Sequence, residues 1–213
     1  SGLIFPFAIA PFFLWPIAII SLMGLLFSLH NSSAKEAAIR TWLFGFGKFS
    51  VGVSWIYVSM HDHGGTPAIL AILMVGMFAA FLATFPALFM YFFQRFYNRA
   101  STHPLVSILA FSALWFAYEW FRSWFMTGFP WLFAGDAQLH TWLNGWAPIL
   151  SVYGLSFFTA LTAAALYFSI RKKQPSYLAF LILWPIGLLL QNISWTEVTG
   201  ELKVSAVQGN IPQ

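Results

Sequence analysis

Residues 115–131 read WFAYEWFRSWFMTGFPW, and this stretch decides how the rest is understood. A carboxylate, Glu119, and a guanidinium, Arg122, stand three residues apart, so on a helix they share one face. Trp115, Phe116, Tyr118, Trp120, Phe121 and Trp124 surround them. Gly128 and Pro130 then stop the helix and leave Phe129 and Trp131 in a non-helical segment. Within a bilayer such a break is tolerated only where it packs on protein or meets water. The pattern predicts a membrane helix that runs into a non-helical loop, packed on protein or facing water.

The composition agrees. Of 213 residues, 60% are hydrophobic and 8% charged, and the mean hydropathy is +0.76. A soluble domain carries about 25% charged residues, and six acids cannot cover a water-facing surface. The fold class expected is an all-α polytopic membrane protein. With no cysteine, disulfides, thiolate metal sites and a cysteine nucleophile are excluded within the chain. The formal charge of +4 comes from local clusters, so it speaks to topology, and no nucleic acid is expected as a partner. The chain opens at Ser1 in an apolar run and stops at Ile211-Pro212-Gln213, and is expected to be a piece of a longer protein.

Spans need about 20 mostly apolar residues. Seven spans or part-spans are expected: about 3–12, 15–29, 41–60, 67–93, 104–121, 145–170 and 176–194. Pro11 and Pro16 separate the first two, and Pro86 should kink the fourth. Ser32 or Ser33 with Glu36 reads as a capping box. Gly45, Gly47 and Gly52 should let helices approach closely. Lys48, inside the third span, either snorkels to the near interface or pairs in the interior with a carboxylate such as Glu119.

Lys35, Arg40, Arg95, Arg99, Arg171, Lys172 and Lys173, seven of the ten basic residues, fall in alternate loops at one end of this arrangement. The positive-inside rule makes that end cytoplasmic. The other end receives loop 61–66, loop 123–144 and the C-terminal tail. It also collects Trp55, Trp120, Trp124, Trp131, Trp142, Trp146 and Trp195, more than an interfacial belt needs. In the tail, Leu202, Val204 and Ala206 alternate with Lys203 and Ser205, the period of a strand, which suggests the first strand of an extracytoplasmic domain.

Several residues carry possible chemistry. Glu119 and Arg122 are either a self-neutralising pair that holds neighbouring helices or a polar floor for a lipid headgroup. In the second case the Arg122 fork would suit a phosphate, and ionisable groups in a membrane are functional suspects. Thr127-Gly128-Phe129-Pro130-Trp131 is either an aromatic wedge or a wall for acyl chains. Trp55-Ile56-Tyr57 offers the same choice between belt and wall. His61-Asp62-His63 has only two imidazoles on a short loop and no third ligand, so it reads as a loop rather than a metal site. No nucleophile triad, phosphate loop or dinucleotide fingerprint is present.

At this point the residues match a family. Trp15-Pro16 with the following Ala18–Gly24 run, Trp55-Ile56-Tyr57-Val58-Ser59 followed by Gly64-Gly65, Glu119 with Arg122 leading into Thr127–Leu132, Ala147-Pro148-Ile149, and Val207-Gln208-Gly209-Asn210-Ile211-Pro212-Gln213 occur in family order. The chain resembles the N-terminal membrane part of bacterial apolipoprotein N-acyltransferase. The resemblance implies an enzyme of the inner (cytoplasmic) membrane. Such an enzyme moves an acyl chain from a phospholipid to the N-terminal diacylglyceryl-cysteine of a lipoprotein, through a thioester on a cysteine. It implies a Glu-Lys-Cys triad on a periplasmic, nitrilase-like domain, and none of that triad lies in this chain.

On that resemblance residues 1–195 are a transmembrane helical domain and 196–213 the start of the nitrilase-like domain. No catalytic residue is carried over. Glu119, Arg122, Phe129, Pro130, Trp131, Trp55 and Tyr57 are expected to shape a lipid entrance. The partners implied are a phospholipid donor, a lipoprotein acceptor and the membrane, with no cofactor or metal, and a monomer is expected. The rival readings are a lipid transporter or flippase, which would show internal repeats and broken mid-membrane helices, and a plain membrane anchor.

Overall fold

A computed structural model gives the architecture over residues 1–97, 103–197 and 199–209. Arg99 of the basic cluster and the Asn210–Gln213 end of the tail motif lie outside the described residues.

Every regular element is helical. Gly2–Ala8 is a tight three-residue-per-turn helix rather than an α-helix. It lies on the third expected span, so close that a Cβ on Gly2 would stand 2.0 Å from the Phe44 carbonyl oxygen. Helix α1 (Pro16–Leu29) starts with proline in its first turn, where the missing N–H is no loss. Helix α2 (Ala34–Gly52) opens on the expected capping box. The Glu36 N–H donates to Ser33 Oγ at 3.3 Å and the Ser33 N–H donates to the Glu36 carboxylate at 2.7 Å.

The third expected span breaks after Val53. A short helix α3 (Trp55–Val58) and a wide turn over Ser59–His63 follow. Helix α4 (Ala68–Phe92) runs on through Pro86 and continues as a wide turn over Phe93–Tyr97. Helix α5 spans Pro104–Trp124. A loop with tight turns at Phe125–Thr127, Ala134–Gln138 and Trp142–Trp146 leads to α6 (Ala147–Lys172). Pro175–Ile182 is again a tight helix, joined to α7 (Leu183–Leu190).

Among the described residues, three stretches are long and apolar enough to cross a bilayer alone: Ala68–Tyr97, Pro104–Thr127 and Trp142–Lys172. The apolar helix Pro16–Leu29 and the stretch Pro175–Leu190 are shorter, below the about 20 residues a span needs. The seven expected spans therefore appear as three full-length helices and several shorter pieces. Among the described residues there is no strand. Leu202, Val204 and Val207 are exposed, and period-two alternation makes a strand only where another strand supplies the ladder.

The expected glycine contacts are present. A Cβ on Gly45 would lie 3.1 Å from Ala83 of α4, one on Gly47 would meet Leu3, and one on Gly52 would overlap the Leu132 side chain. Small residues thus bring α2 against α4, against the Gly2–Ala8 helix and against the loop at Leu132. Phe5, Phe44, Phe49, Phe111, Trp115 and Tyr118 fill the centre, all buried. Ile69, Ile72, Leu73 and Met77 of α4 point outward, as a lipid-facing surface requires.

The loops sort to two ends as the charge pattern anticipates. At the basic end the Gln94 amide donates to Ser32 O at 2.6 Å, Ser107 Oγ donates to Tyr97 O at 2.6 Å, and Arg171 meets His30. At the aromatic end the Trp55 and Trp131 rings stand 6.4 Å apart. There too the Gln191 amide donates to Thr141 O at 2.8 Å.

Candidate functional site

The site is built where the end of α5 meets the loop after it. Glu119 and Arg122 both point into the protein, 0% and 1% exposed, as three-residue spacing on one helix face requires. They do not pair with each other, because each has been given other partners.

Glu119 pairs with Lys48 of α2, Nζ to Oε1 at 3.7 Å. Of the two readings of Lys48, the interior pair is the one realised: the side chain is 1% exposed, and mid-helix burial leaves it no path to the interface. The same carboxylate accepts from Trp115 Nε1 at 3.0 Å and from Tyr118 Oη at 3.3 Å. It also accepts from the backbone N–H of Ala134, at 3.0 and 3.2 Å to its two oxygens. Lys48 in turn donates to Tyr118 Oη at 3.2 Å and lies 4.0 Å from the centre of the Phe5 ring. A buried carboxylate persists only when its lone pairs are filled and a counter-charge is present; four donor contacts from three residues and the Lys48 charge do this.

Arg122 holds the loop from the other side. Its two terminal nitrogens donate to the carbonyl oxygens of Phe129 and Trp131, the latter at 2.8 Å. The guanidinium lies over Phe49 and Phe133, at 5.2 and 5.0 Å from the ring centres. The planar fork of arginine suits two parallel acceptors, and here those acceptors are backbone. The fork is therefore used to hold the break at Gly128–Pro130, whose carbonyls a membrane would otherwise leave unpaired. Gly128, with φ +83° and a Cβ position 2.0 Å from Ser123 O, admits no side chain.

Beyond this clasp the loop dips back into the bundle. Leu132–Gly135, Ala137 and Gln138 are buried. The Gly135 N–H donates to Ser156 Oγ of α6 at 2.8 Å, and a Cβ there would collide with Val152 O at 2.1 Å. Asp136 closes the turn by accepting from the Phe133 N–H at 2.8 Å. Partial burial pushes its carboxyl up to about 6, and neighbouring Glu119 adds to the rise. The Phe133 N–H, Lys48 and Arg122 pull the other way.

The remaining expected residues form the outer face of this structure. Trp131 is 53% exposed and Trp55 52%. Phe129 stacks on Trp131, ring centres 5.9 Å apart, and meets Phe78 of α4 edge-on at 5.1 Å. Pro130 is exposed between them. Tyr57 belongs to a neighbouring contact, its ring 5.2 Å from His61, and His61 Nδ1 is hydrogen-bonded to Thr66 O at 2.8 Å. So Trp55, Phe129, Pro130 and Trp131 make an aromatic edge, and Glu119 and Arg122 stand behind it as its support. Trp115, Tyr118 and Asp136 belong to the same support and were not picked out from the sequence. Their only signal was that an acid or an amphipathic aromatic in so apolar a chain needs a partner.

The residues 1–165 match the family described as apolipoprotein N-acyltransferase N-terminal domain. The chain is 44% identical to apolipoprotein N-acyltransferase of Azotobacter vinelandii over its whole length, covering 42% of that protein. It is 45% identical to the Pseudomonas putida protein of the same name over 97% of the chain, again 42% of the relative. With the Coxiella burnetii protein of that name it shares 38% identity over the whole chain, 45% of the relative. The chain thus spans less than half the length of the curated relatives it matches.

Proposed function

The chain belongs to the apolipoprotein N-acyltransferase N-terminal domain family, and from that membership we propose that it is the membrane platform of an N-acyltransferase. The complete enzyme takes an acyl chain from a phospholipid, holds it as a thioester on a cysteine, and passes it to the N-terminal diacylglyceryl-cysteine of a lipoprotein. The chain has no cysteine, so the nucleophile belongs to the length of such proteins that it does not cover. Residues 1–195 are the transmembrane helical domain and 196–213 lead into the nitrilase-like domain. The basic end is cytoplasmic and the aromatic end periplasmic, in the inner membrane, with the shorter helical pieces as part-spans.

The observation that supports a platform rather than a plain anchor is the buried clasp: Lys48–Glu119–Ala134 and Arg122–Phe129/Trp131. An anchor needs apolar helices alone, whereas burying two cations and a carboxylate to fix one loop is costly unless that loop's shape matters. The loop presents Phe129, Pro130 and Trp131 at the periplasmic edge beside Trp55 of α3, where they form the wall past which phospholipid reaches the catalytic domain. An apolar recess of about 710 Å³, lined by Phe116, Pro148, Leu150, Ser151 and Phe157, lies between α5 and the start of α6, and its apolar lining suits an acyl chain.

The test is acyl transfer to a diacylglyceryl peptide by the full-length enzyme in phospholipid vesicles. Trp131→Ala should lower the rate at subsaturating phospholipid about tenfold, the scale of one lost aromatic anchor, while the protein still folds. Arg122→Ala should lower both rate and folded yield. If both variants fold and transfer as the parent does, the loop has no part in admitting lipid and the entrance reading falls.

A further inference from the structure

The loop between α5 and α6 is fastened a second time, at its far end, to α7. There the two backbones touch: a Cβ on Gly145 would stand 1.9 Å from Gly187 O, and one on Gly187 2.4 Å from Trp142 O. Trp146 Nε1 donates to Leu183 O at 2.9 Å. One turn past Gly187, Gln191 reaches back to the loop, its amide donating to Thr141 O at 2.8 Å and to Trp142 O at 3.4 Å. Both partners are carbonyls, so only the amide nitrogen can face them. Thr141 is buried and fixed from inside. Its hydroxyl is shared between Gln138 O and Gln138 Oε1, at 3.0 and 3.1 Å, and accepts from the Leu143 N–H at 3.2 Å. Gln191 also stands where the chain leaves the bundle. Every described residue from Gln191 to Gly209 is exposed, and the side-chain bonds that follow, from Asn192 to Leu188 O and from Ser194 to Thr196 O, are local.

We propose that Gln191 is a positioning residue: it holds the start of the tail to the loop that carries the aromatic edge, so that the domain after the tail stands at a fixed place over the lipid entrance. The inference deepens the acyltransferase reading and rests on it. One loop carries both fastenings. Arg122 and Glu119 fix its first half, through Phe129, Trp131 and Ala134, on α5. Ser156 of α6 holds Gly135. Gln191 and Gly187 fix Thr141, Trp142 and Gly145 on α7. The place of the aromatic edge and the place where the tail departs are thereby set by the same stretch of backbone. The tail itself is exposed, so its departure is directed by the last residue bonded to the bundle. Transfer from a membrane lipid to a group on a following domain depends on that distance, since a misplacement of about 1 Å can cost about 100-fold in rate. The Gln191 N–H stays in the helix, on Gly187 O at 3.2 Å, which leaves the side chain to bridge to the loop.

The experiment measures acyl transfer by the full-length protein to a diacylglyceryl peptide, in detergent micelles over a range of phospholipid content. Gln191→Met keeps the length of the side chain and removes the donor; Gln191→Lys puts a donor back. Gln191→Met should lower the rate at saturating phospholipid about fivefold, the scale of one neutral hydrogen bond, and leave the KM for phospholipid within twofold of the parent. Gln191→Lys should recover most of that loss. Backbone hydrogen exchange across 139–146 should quicken in Gln191→Met and return toward the parent in Gln191→Lys. A residue that only filled space would not be rescued by a cation of different shape. Three results overturn the role: a Gln191→Met enzyme as fast as the parent at saturating phospholipid, a loss that Gln191→Lys does not repair, or a loss made good by more phospholipid. The entrance reading fails separately, since its variant Trp131→Ala acts at subsaturating phospholipid. A slow Gln191→Met beside an unaltered Trp131→Ala would leave the joint standing and remove the entrance. A parent with no transfer overturns both.

Discussion

The two ends of the molecule use the same kinds of side chain in opposite ways. At the aromatic end, Lys48 and Arg122 are withdrawn from every surface; Lys48 is matched to Glu119 and Tyr118 of α5, and Arg122 to carbonyls of the loop that follows. At the basic end, Arg171 and Lys172 stand at the rim of a cavity with no carboxylate in its wall. A cation with its acceptors supplied deep in the protein holds structure; Arg171 has His30 beside it at an exposed position, and Lys172 stands exposed at the end of α6. The charge pattern alone does not separate these cases, since both are positive groups near the end of an apolar helix. What separates them is whether a carboxylate or an ordered carbonyl lies within reach.

The largest effect that would break this comparison is removal of Glu119. Glu119→Leu leaves Lys48 buried without its counter-charge and strips a partner from the Trp115 indole and the Ala134 N–H. Breaking a buried ion pair on one side costs about 3–5 kcal/mol. We expect the variant to unfold in detergent at a far lower denaturant or temperature than the parent, and to be cleaved by protease within 125–146. Adding Lys48→Met should recover part of the loss, because the stranded charge is gone while the loop N–H is still unpaired. If Glu119→Leu alone is as stable as the parent, the clasp is not what fixes the loop.

Much of this was legible in the sequence, and the reasons for the limits are physical. The Ser33–Glu36 box, the glycine contacts on α2 and the gathering of basic loops at one end follow from local rules with few alternatives, and each stands in the structure. The Glu119–Arg122 pairing was the natural expectation from their spacing, but i, i+3 spacing gives a shared face and not a shared bond. Lys48 is 71 positions before Glu119, and the loop carbonyls that draw Arg122 away depend on how the chain returns after Pro130. The break after Val53 and the tight three-residue-per-turn helices Gly2–Ala8 and Pro175–Ile182 also escaped, because a uniformly apolar stretch reads the same whether its helix is continuous or interrupted. The aromatic edge was foreseen as a group; that Glu119 and Arg122 stand behind it rather than in it needed the packing.

A smaller effect sharpens the picture of the loop itself. With the Asp136 carboxyl raised to about 6 from 3.8, chiefly by burial, the folded state holds a proton that the unfolded chain has already released. Stability should then fall as pH rises from about 4 to about 6 and level off above, by at most about 3 kcal/mol and nearer 1 after allowance for partial exposure. Asp136→Asn keeps an oxygen for the Phe133 N–H and cannot ionise. It should match the parent near pH 4, exceed it by about 1 kcal/mol at pH 7.5, and remove that part of the slope. Denaturant unfolding in mild detergent at the two pH values reads the difference. A parent and variant that run parallel across the range would mean Asp136 sits in water.

The smallest expected effect is the counterpart of the first, at the other end. Lys172→Met removes a cation just as the loss of Lys48 does, but from an exposed position at the last residue of α6. It strands no carboxylate among the described residues, where the only ion pair within 4 Å is Lys48–Glu119. Its loss of favourable interaction with the helix C-terminus is a few tenths of a kcal/mol, and surface changes of this kind stay within about 0.5 kcal/mol. In zwitterionic detergent without anionic lipid, the unfolding midpoint should therefore barely move. A loss comparable to that of Glu119→Leu would show that the basic end is also held together by its charges, and the division of labour between the two ends would have to be given up.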